Sequence, residues 1–339
     1  MVRKRKNQLP SGNFRVRVYD KETGKYRSFT AASKQEAHAM AEEWKLTKAE
    51  SLNLTVADAC ERYIDLKRAV LSPSTIKGYI YAAKKIETHP ISRISVTALK
   101  TTDMQLFISD FAARYTPKYV KNVYGFLNAS VSMFLPDASF KVTLPQKVRQ
   151  SYYVPTENDV QALLNASEST EMKLAILFAA VGTMRRGEAC AVSYEDVDYK
   201  RCTISVNKAF VETPDFTWEL KAPKTYDSCR TVLMPDYVFT MIKSLNKDEG
   251  YILNCTPDRL YVRFKRLIKS AGLHDFRYHD LRHYAASRMH AAGVPERYIE
   301  AVGGWKPGST VLKRVYENVM DEELEKNRRA FLNQNRFEV

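Results

Sequence analysis

Apolar and polar residues alternate at the start of the chain, and the period then changes. Phe14-Arg15-Val16-Arg17-Val18-Tyr19 places an apolar side chain at every second position. That is the period of a strand with one basic face. Lys25-Tyr26-Arg27-Ser28-Phe29-Thr30 alternates again after a turn segment from Asp20 to Gly24, so the pair predicts a hairpin. Ser33-Lys34-Gln35-Glu36 has capping-box spacing and opens a helix through Ala39, Ala41 and Trp44. From Thr55 onward the period is helical. Thr55-Val56-Ala57-Asp58 caps a run carrying Cys60, Tyr63, Ile64 and Leu66. Ser72-Pro73 starts a second run with Tyr79, Ala82, Ala83 and Ile86, with proline near its first turn. A weaker run covers Thr102 to Ala113. Thr116-Pro117 starts a fourth, with Val120, Val123, Phe126, Leu127, Val131 and Phe134.

Pro136 and Pro145 break the pattern between Leu135 and Tyr153, a segment that reads as a linker and carries Lys141, Lys147 and Arg149. Beyond it, Thr156-Glu157-Asn158-Asp159 caps a helix and Met172 to Val181 is an apolar helical run. Cys202 to Val206 and Arg230 to Met234 read as strands, and several helices follow. The expected fold class is mainly α with small β elements, an α+β chain of three domains. Residues 1–52 form a hairpin plus helix, 53–136 a helical domain, 137–153 a linker and 154–339 a mixed α/β domain with a tail helix. The 339 residues agree with that number at roughly 100–200 residues per domain.

Composition adds a partner. Lys and Arg number 53 against 39 Asp and Glu, a net charge of +14. Such a bias points to a polyanion, with nucleic acid first. Arg15, Arg17, Tyr26 and Arg27 are candidates on the hairpin, and Lys84, Lys118 and Lys121 on the helices; the alternative for each is a solvated surface group. Charge alone does not separate DNA, RNA and an anionic membrane, but no apolar stretch of about 18 residues is present, so no membrane-spanning helix is expected and no membrane partner is assigned. The basic start, Met1 to Lys6, has no apolar h-region after it, which argues against a secretory signal. The five cysteines are odd in number and include no C-x-x-C pair. A reducing cytoplasm fits better than a disulfide framework or a zinc knuckle. No P-loop and no H-E-x-x-H occurs, so neither cofactor nor metal is expected.

Candidate chemistry lies in the third region. In Gly182-Thr183-Met184-Arg185-Arg186-Gly187-Glu188, Arg185 and Glu188 are three apart and share a helical face, an arrangement that also describes an ordinary ion pair. In His279-Asp280-Leu281-Arg282-His283, His279 and Arg282 repeat that spacing; Asp280 reads as a cap and His283 as a packed histidine. Lys221 and Lys224 sit in a probable hairpin before a strand. Trp305 follows Gly303-Gly304, and Tyr316 lies eleven residues further on.

In this order and spacing, Arg185, Lys224, His279, Arg282, Trp305 and Tyr316 resemble the signature of the tyrosine recombinases, the integrases of phages and mobile elements. The family pattern is an arginine in a G-[LM]-R-x-x-E context, a hairpin lysine, H-x-x-R, a histidine or tryptophan after glycine, and a tyrosine about ten residues later. The likeness covers Val154 to Val339. It implies a site-specific DNA recombinase that cuts and rejoins DNA through a 3′-phosphotyrosyl intermediate, to integrate and excise an element. By that resemblance Arg185 and Arg282 hold the phosphate, Tyr316 is the nucleophile, His279 takes or relays its proton, and Lys224 is the general acid. The Pro223-Lys224-Thr225 context favours Lys224 over Lys221. Trp305 stands where histidine is commoner; its indole N–H donates a hydrogen bond but exchanges no proton near neutral pH. Glu188 buttresses the site.

The same resemblance implies double-stranded DNA as partner, at core and arm sites. It also implies a homotetramer, a host DNA-bending protein, an excision factor and a place in the bacterial cytoplasm. The helical region would be the core-binding domain, and the hairpin an arm-binding domain entering a major groove. Against the type IB topoisomerases stand the arm-like domain and the tail helix. Against a non-catalytic regulator on the same fold stands the full set of site residues, and no RNP-like or KH-like signature supports RNA.

Overall fold

The computed structural model describes residues 8–20, 24–51, 54–146, 153–222, 229–310 and 312. It divides into two compact units, Met1–Arg149 and Gln150–Val339.

In the first unit, β1 (Phe14–Asp20) pairs antiparallel with β2 (Lys25–Ala31). The register sets Val16 opposite Phe29 and Val18 opposite Arg27, with Arg15, Arg17 and Tyr19 opposite Thr30, Ser28 and Tyr26. Directly opposed residues share a sheet face, so the hairpin has an apolar side and a basic aromatic side. Helix α1 (Lys34–Ser51) covers the apolar side with Ala37 and Ala41, and Trp44 lies 5.7 Å from the Phe29 ring. Four helices follow: α2 (Val56–Lys67), α3 (Pro73–Glu87), α4 (Thr101–Ala112) and α5 (Pro117–Phe134). The expected capping box at Thr55 is formed in both directions, Asp58 N to Thr55 Oγ1 at 3.2 Å and Thr55 N to Asp58 Oδ2 at 3.0 Å. The apolar faces of these helices meet in one core that includes Ile64, Ile76, Ile86, Phe107 and Leu127.

Residues 137–146, the start of the expected linker, have no regular structure but do not hang free. Phe140, Val142 and Leu144 pack on the bundle, and the Thr143 backbone exchanges hydrogen bonds of 2.7 and 3.2 Å with the Gln105 amide. Alternate apolar residues on an extended segment present one face to the core, which the prolines on either side conceal in a sequence scan.

The second unit is built around α7 (Thr170–Ala180), which is buried at Met172 and at every residue from Leu174 to Ala180. From Leu174 to Ala180 its sequence is apolar on every side, which suits a central helix rather than a surface one. Around it lie α6 (Glu157–Ala166), α8 (Arg186–Ala191), α9 (Asp236–Lys243) and α11 (Tyr278–Ala291). Helices α10 (Pro257–Ser270) and α12 (Glu296–Gly303) also belong to this unit. The strands β3 (Val197–Asp198), β4 (Thr203–Val206) and β7 (Arg230–Leu233) form one antiparallel sheet, and β5 (Ala209–Glu212) and β6 (Trp218–Lys221) a hairpin. The two expected strands are β4 and β7. Strand β3, of two residues, is too short to show a period, and β5 and β6 show no buried face, so their burial gives no alternation to read. Among the described residues no helix is long and apolar enough to cross a membrane. The mixed, mainly helical α+β class expected from the sequence is the observed one.

Candidate active site

The site grows from the turn that ends α7. Gly182 stands where a Cβ would meet the Phe178 carbonyl oxygen at 2.8 Å, so only glycine fits. Thr183 follows with φ of 53°, a left-handed conformation that costs on the order of 1–3 kcal/mol for a residue with a side chain. Its surroundings hold it there. Its hydroxyl donates to the Val302 carbonyl at 3.0 Å, and its own carbonyl accepts from Arg282 Nη1 and, at 3.4 Å, from Arg230 Nη2. The strained turn thus aims one carbonyl at two guanidiniums.

Arg185 is the N-cap of α8. Its backbone N–H donates to Glu188 Oε2 at 2.8 Å, its Nη1 to Glu188 Oε1 at 2.5 Å and its Nη2 to the Gly304 carbonyl at 3.1 Å. The spacing of three predicted this pair. Glu188 is buried, and its Oε2 also accepts from Arg230 Nη2 at 2.9 Å. Burial by itself would raise the Glu188 pKa; the hydrogen bond and charge of Arg230, then the charge of Arg185, bring it down to about 2. The carboxylate is therefore charged at any physiological pH.

Arg282 has 0% of its surface exposed, on the inward face of α11. Nη1 is anchored on Thr183, and the guanidinium carbon lies 3.8 Å from the centroid of the Trp305 ring. Nε and Nη2 are buried and find no acceptor among the described residues. A buried cation with two idle donors is costly unless an anion meets them. Burial, then the Arg185 charge, push its pKa well down, which expresses the same demand for negative charge.

His279 precedes Arg282 by one turn, with part of its surface open to solvent and part covered by its neighbours. Desolvation, then the His283, Arg282 and Arg185 charges, lower its pKa to about 4, so the ring is neutral near pH 7 and able to take a proton. The His283 ring stands perpendicular to it, with centroids 4.9 Å apart, and is half-buried as expected of a packed histidine. Asp280 does cap α11: it accepts from Arg277 N at 2.7 Å and pairs with the Arg277 guanidinium at 2.8 Å. Trp305 folds back over Gly303, where a Cβ would lie 1.9 Å from the indole, and Gly304 supplies the left-handed φ of 61° that turns the chain.

Arg185, Glu188, His279, Arg282 and Trp305, far apart in sequence, therefore share one site. Lys224 and Tyr316 lie outside the described residues, as does the tail beyond Leu312. Lys221, the other lysine considered, ends β6. The sequence reading missed Arg230. Its signal was available: in β7 it falls on the same side as buried Val232, an arginine at an inward position of a strand. Among the described residues no group of three or more His, Cys, Asp or Glu side chains is placed to hold a metal ion.

Of the hairpin candidates, Arg15, Arg17 and Tyr26 share one face with Tyr19, whose ring lies 5.1 Å from that of Tyr26. Arg27 does not belong with them. The register turns it to the α1 side, where it pairs with Asp137 and lies 5.4 Å from the Trp44 ring. Lys84 is exposed on α3, and Lys118 and Lys121 on α5.

Residues 154–323 match a family model described as the phage integrase family. A tyrosine recombinase XerC-like protein of Caldanaerobacter subterraneus subsp. tengcongensis is 20% identical over 348 residues, covering 88% of this chain and 89% of its own. The integrase of Salmonella phage P22 is 25% identical over 174 residues, 49% of this chain and 43% of its own. Among solved structures, the Tn1549 transposon integrase in complex with transposon right end DNA superposes with a TM-score of 0.66 at 16% identity, over 80% of this chain and 99% of that one. A lambda integrase tetramer bound to a Holliday junction superposes with a TM-score of 0.57 at 16% identity, over 92% of this chain and 96% of that one.

Proposed function

The chain belongs to the phage integrase family of tyrosine recombinases, and from that premise we propose a site-specific DNA recombinase working through a 3′-phosphotyrosyl link at Tyr316. The observation that carries the reading is Arg282: fully buried, anchored at Nη1, with Nε and Nη2 unpartnered among the described residues. Those two donors suit the non-bridging oxygens of a phosphodiester. Arg185, pinned through Glu188 and Gly304, supplies a second permanent charge beside them. Together they offset the negative charge that grows as the phosphorus becomes five-coordinate.

The Tyr316 phenol attacks the phosphorus, forming an O–P bond as the bond to the 5′-oxygen breaks. A phenol has a pKa near 10 and needs help to lose its proton. Neutral His279 accepts or relays that proton, and Lys224 protonates the departing 5′-oxygen. The energy of the diester is kept in the phosphotyrosyl bond, so a 5′-hydroxyl from a partner strand attacks it and rejoins the DNA. Trp305 has a role that a proton shuttle could not fill: its ring packs on the Arg282 guanidinium and holds it in place.

Recombination takes two such exchanges, performed by four copies of the chain around two duplexes in the bacterial cytoplasm. The helices of residues 53–136, with Lys84, Lys118 and Lys121, grip the duplex near the cut. The hairpin of residues 1–52 binds a distant arm site through Arg15, Arg17 and Tyr26. A DNA-bending protein of the host and an excision factor complete the assembly.

The test is a nicked duplex carrying the crossover site taken from the ends of the element in its genome, incubated in EDTA without ATP. A denaturing gel should show an SDS-resistant adduct for the parent and none for Tyr316→Phe. An adduct that survives in the variant removes Tyr316 from the mechanism. No adduct despite tight binding favours a regulator on the same fold.

A further inference from the structure

Arg230 has no part in the proposed chemistry, yet it is a buried cation at the centre of the site, with its side chain 4% exposed. It joins three segments that come together only in the folded chain. Nε donates to the Val302 carbonyl at the end of α12, at 2.7 Å. Nη2 donates to Glu188 Oε2 on α8 at 2.9 Å, and to the Thr183 carbonyl at 3.4 Å. A Cβ on Gly304 would lie 3.3 Å from its Nη1, so the turn that leads into Trp305 is moulded on this side chain.

The division of Glu188 matters most. Its two oxygens serve two arginines: Oε1 takes the Arg185 guanidinium, while Oε2 takes Arg230 and the Arg185 backbone N–H. Arg185 is thereby held to the carboxylate by a single guanidinium nitrogen. A carboxylate and a guanidinium left to themselves prefer the parallel two-bond fork. Without Arg230, Glu188 carries a whole buried charge with only Arg185 to answer it. The fork then closes, and Arg185 turns from the phosphate toward Glu188.

We infer that Arg230 is a positioning residue, which by occupying one oxygen of Glu188 and tying down Val302 keeps Arg185 free to face a DNA phosphate. The inference rests on the reading of Arg185 given above. Arg230 itself touches no substrate. Thr183 ties Arg230 to Arg282, since its strained carbonyl receives both, so the positioning residue and one phosphate-binding arginine are set from one turn.

The test uses the full chain and the same nicked duplex, comparing Arg230→Met, Arg230→Lys, Glu188→Gln and the double variant Glu188→Gln/Arg230→Met. Gel-shift affinity, single-turnover rate of adduct formation and thermal melting are measured for each. Arg230→Met should bind the duplex as the parent does and form adduct about 10–100-fold more slowly, the loss expected when a reacting group is misplaced by about an ångström. Arg230→Lys, keeping the charge but not the fork, should fall between. The double variant should react faster than Arg230→Met, because a neutral amide no longer draws Arg185 away; a residue that only props up the fold would show no such recovery. Arg230→Met at the parental rate overturns the inference, as does a double variant no faster than the single one. If Arg230→Met does not fold, the rates of Arg230→Lys and the double variant, set against Glu188→Gln, decide in the same way. A parent that makes no adduct instead sinks the reading beneath it, so the two failures are distinct.

Discussion

The second unit buries its decisive charges, whereas the first wears them outside. Arg282 and Arg230 are enclosed, oriented by carbonyls and, for Arg230, a carboxylate. Arg17 and Tyr26 stand on an open sheet face, and Lys118 and Lys121 on an exposed helix. Burial makes a guanidinium strong and exact in its demands, because no water competes for its donors. Exposure makes it weak, screened by salt and tolerant of position. One unit is suited to stabilising a transition state, and the other to holding a long polyanion.

That contrast can be broken most sharply at Arg282. Arg282→Ala should lower the rate of covalent adduct formation by about 10³-fold, the upper range for losing a charged transition-state donor. Binding of the same duplex in a gel shift should change far less, since the other cations remain. Equal losses in rate and binding would place Arg282 among the ordinary electrostatic contacts.

Glu188 sharpens the comparison through pH. Its folded pKa, about 2, lies below the ordinary 4.5. The unfolded chain therefore binds the proton first as pH falls, and the stability that Glu188 contributes is present above 4.5 and lost on the way down to about 2. A shift of that size corresponds to roughly 3 kcal/mol. Denaturant unfolding of the parent and Glu188→Gln should show a stability gap that narrows across this window. A constant gap would mean that the carboxylate charge contributes nothing.

The smallest effects belong to the hairpin. Arg17→Ala should leave adduct chemistry intact and reduce the salt slope of arm-duplex binding by about one counterion. Arg27→Ala should leave the slope unchanged and cost only about 0.5–1 kcal/mol of stability, through Trp44 and an exposed pair with Asp137. A drop in slope for Arg27→Ala would show that the α1 side of the hairpin also meets DNA.

The same two regions show which features could be read without a structure. The capping boxes at Thr55 and Thr156 formed as read, as did the Arg185–Glu188 pair, because each partner lies three residues from the other and local geometry suffices. Asp280 as a cap was legible for the same reason. Arg27 was placed with the wrong neighbours, since its side of the sheet depends on the strand register rather than on its basic character. Residues 140–144 looked like a linker because prolines flank them, although their apolar side chains find the bundle.

From the sequence alone came the α+β class, the elements whose periods run long enough to show, and the order of residues that marks the family. Periodicity and short spacings are properties of the chain itself, and they survive in any frame of reference. The tertiary structure alone decided that Arg282 would be buried with two donors unpartnered among the described residues, that Thr183 would be strained to serve it, and that Arg230 would share Glu188 across 42 residues of chain. Those facts depend on which segments meet. A charge acquires its energy from whatever the fold sets beside it and from the water the fold removes.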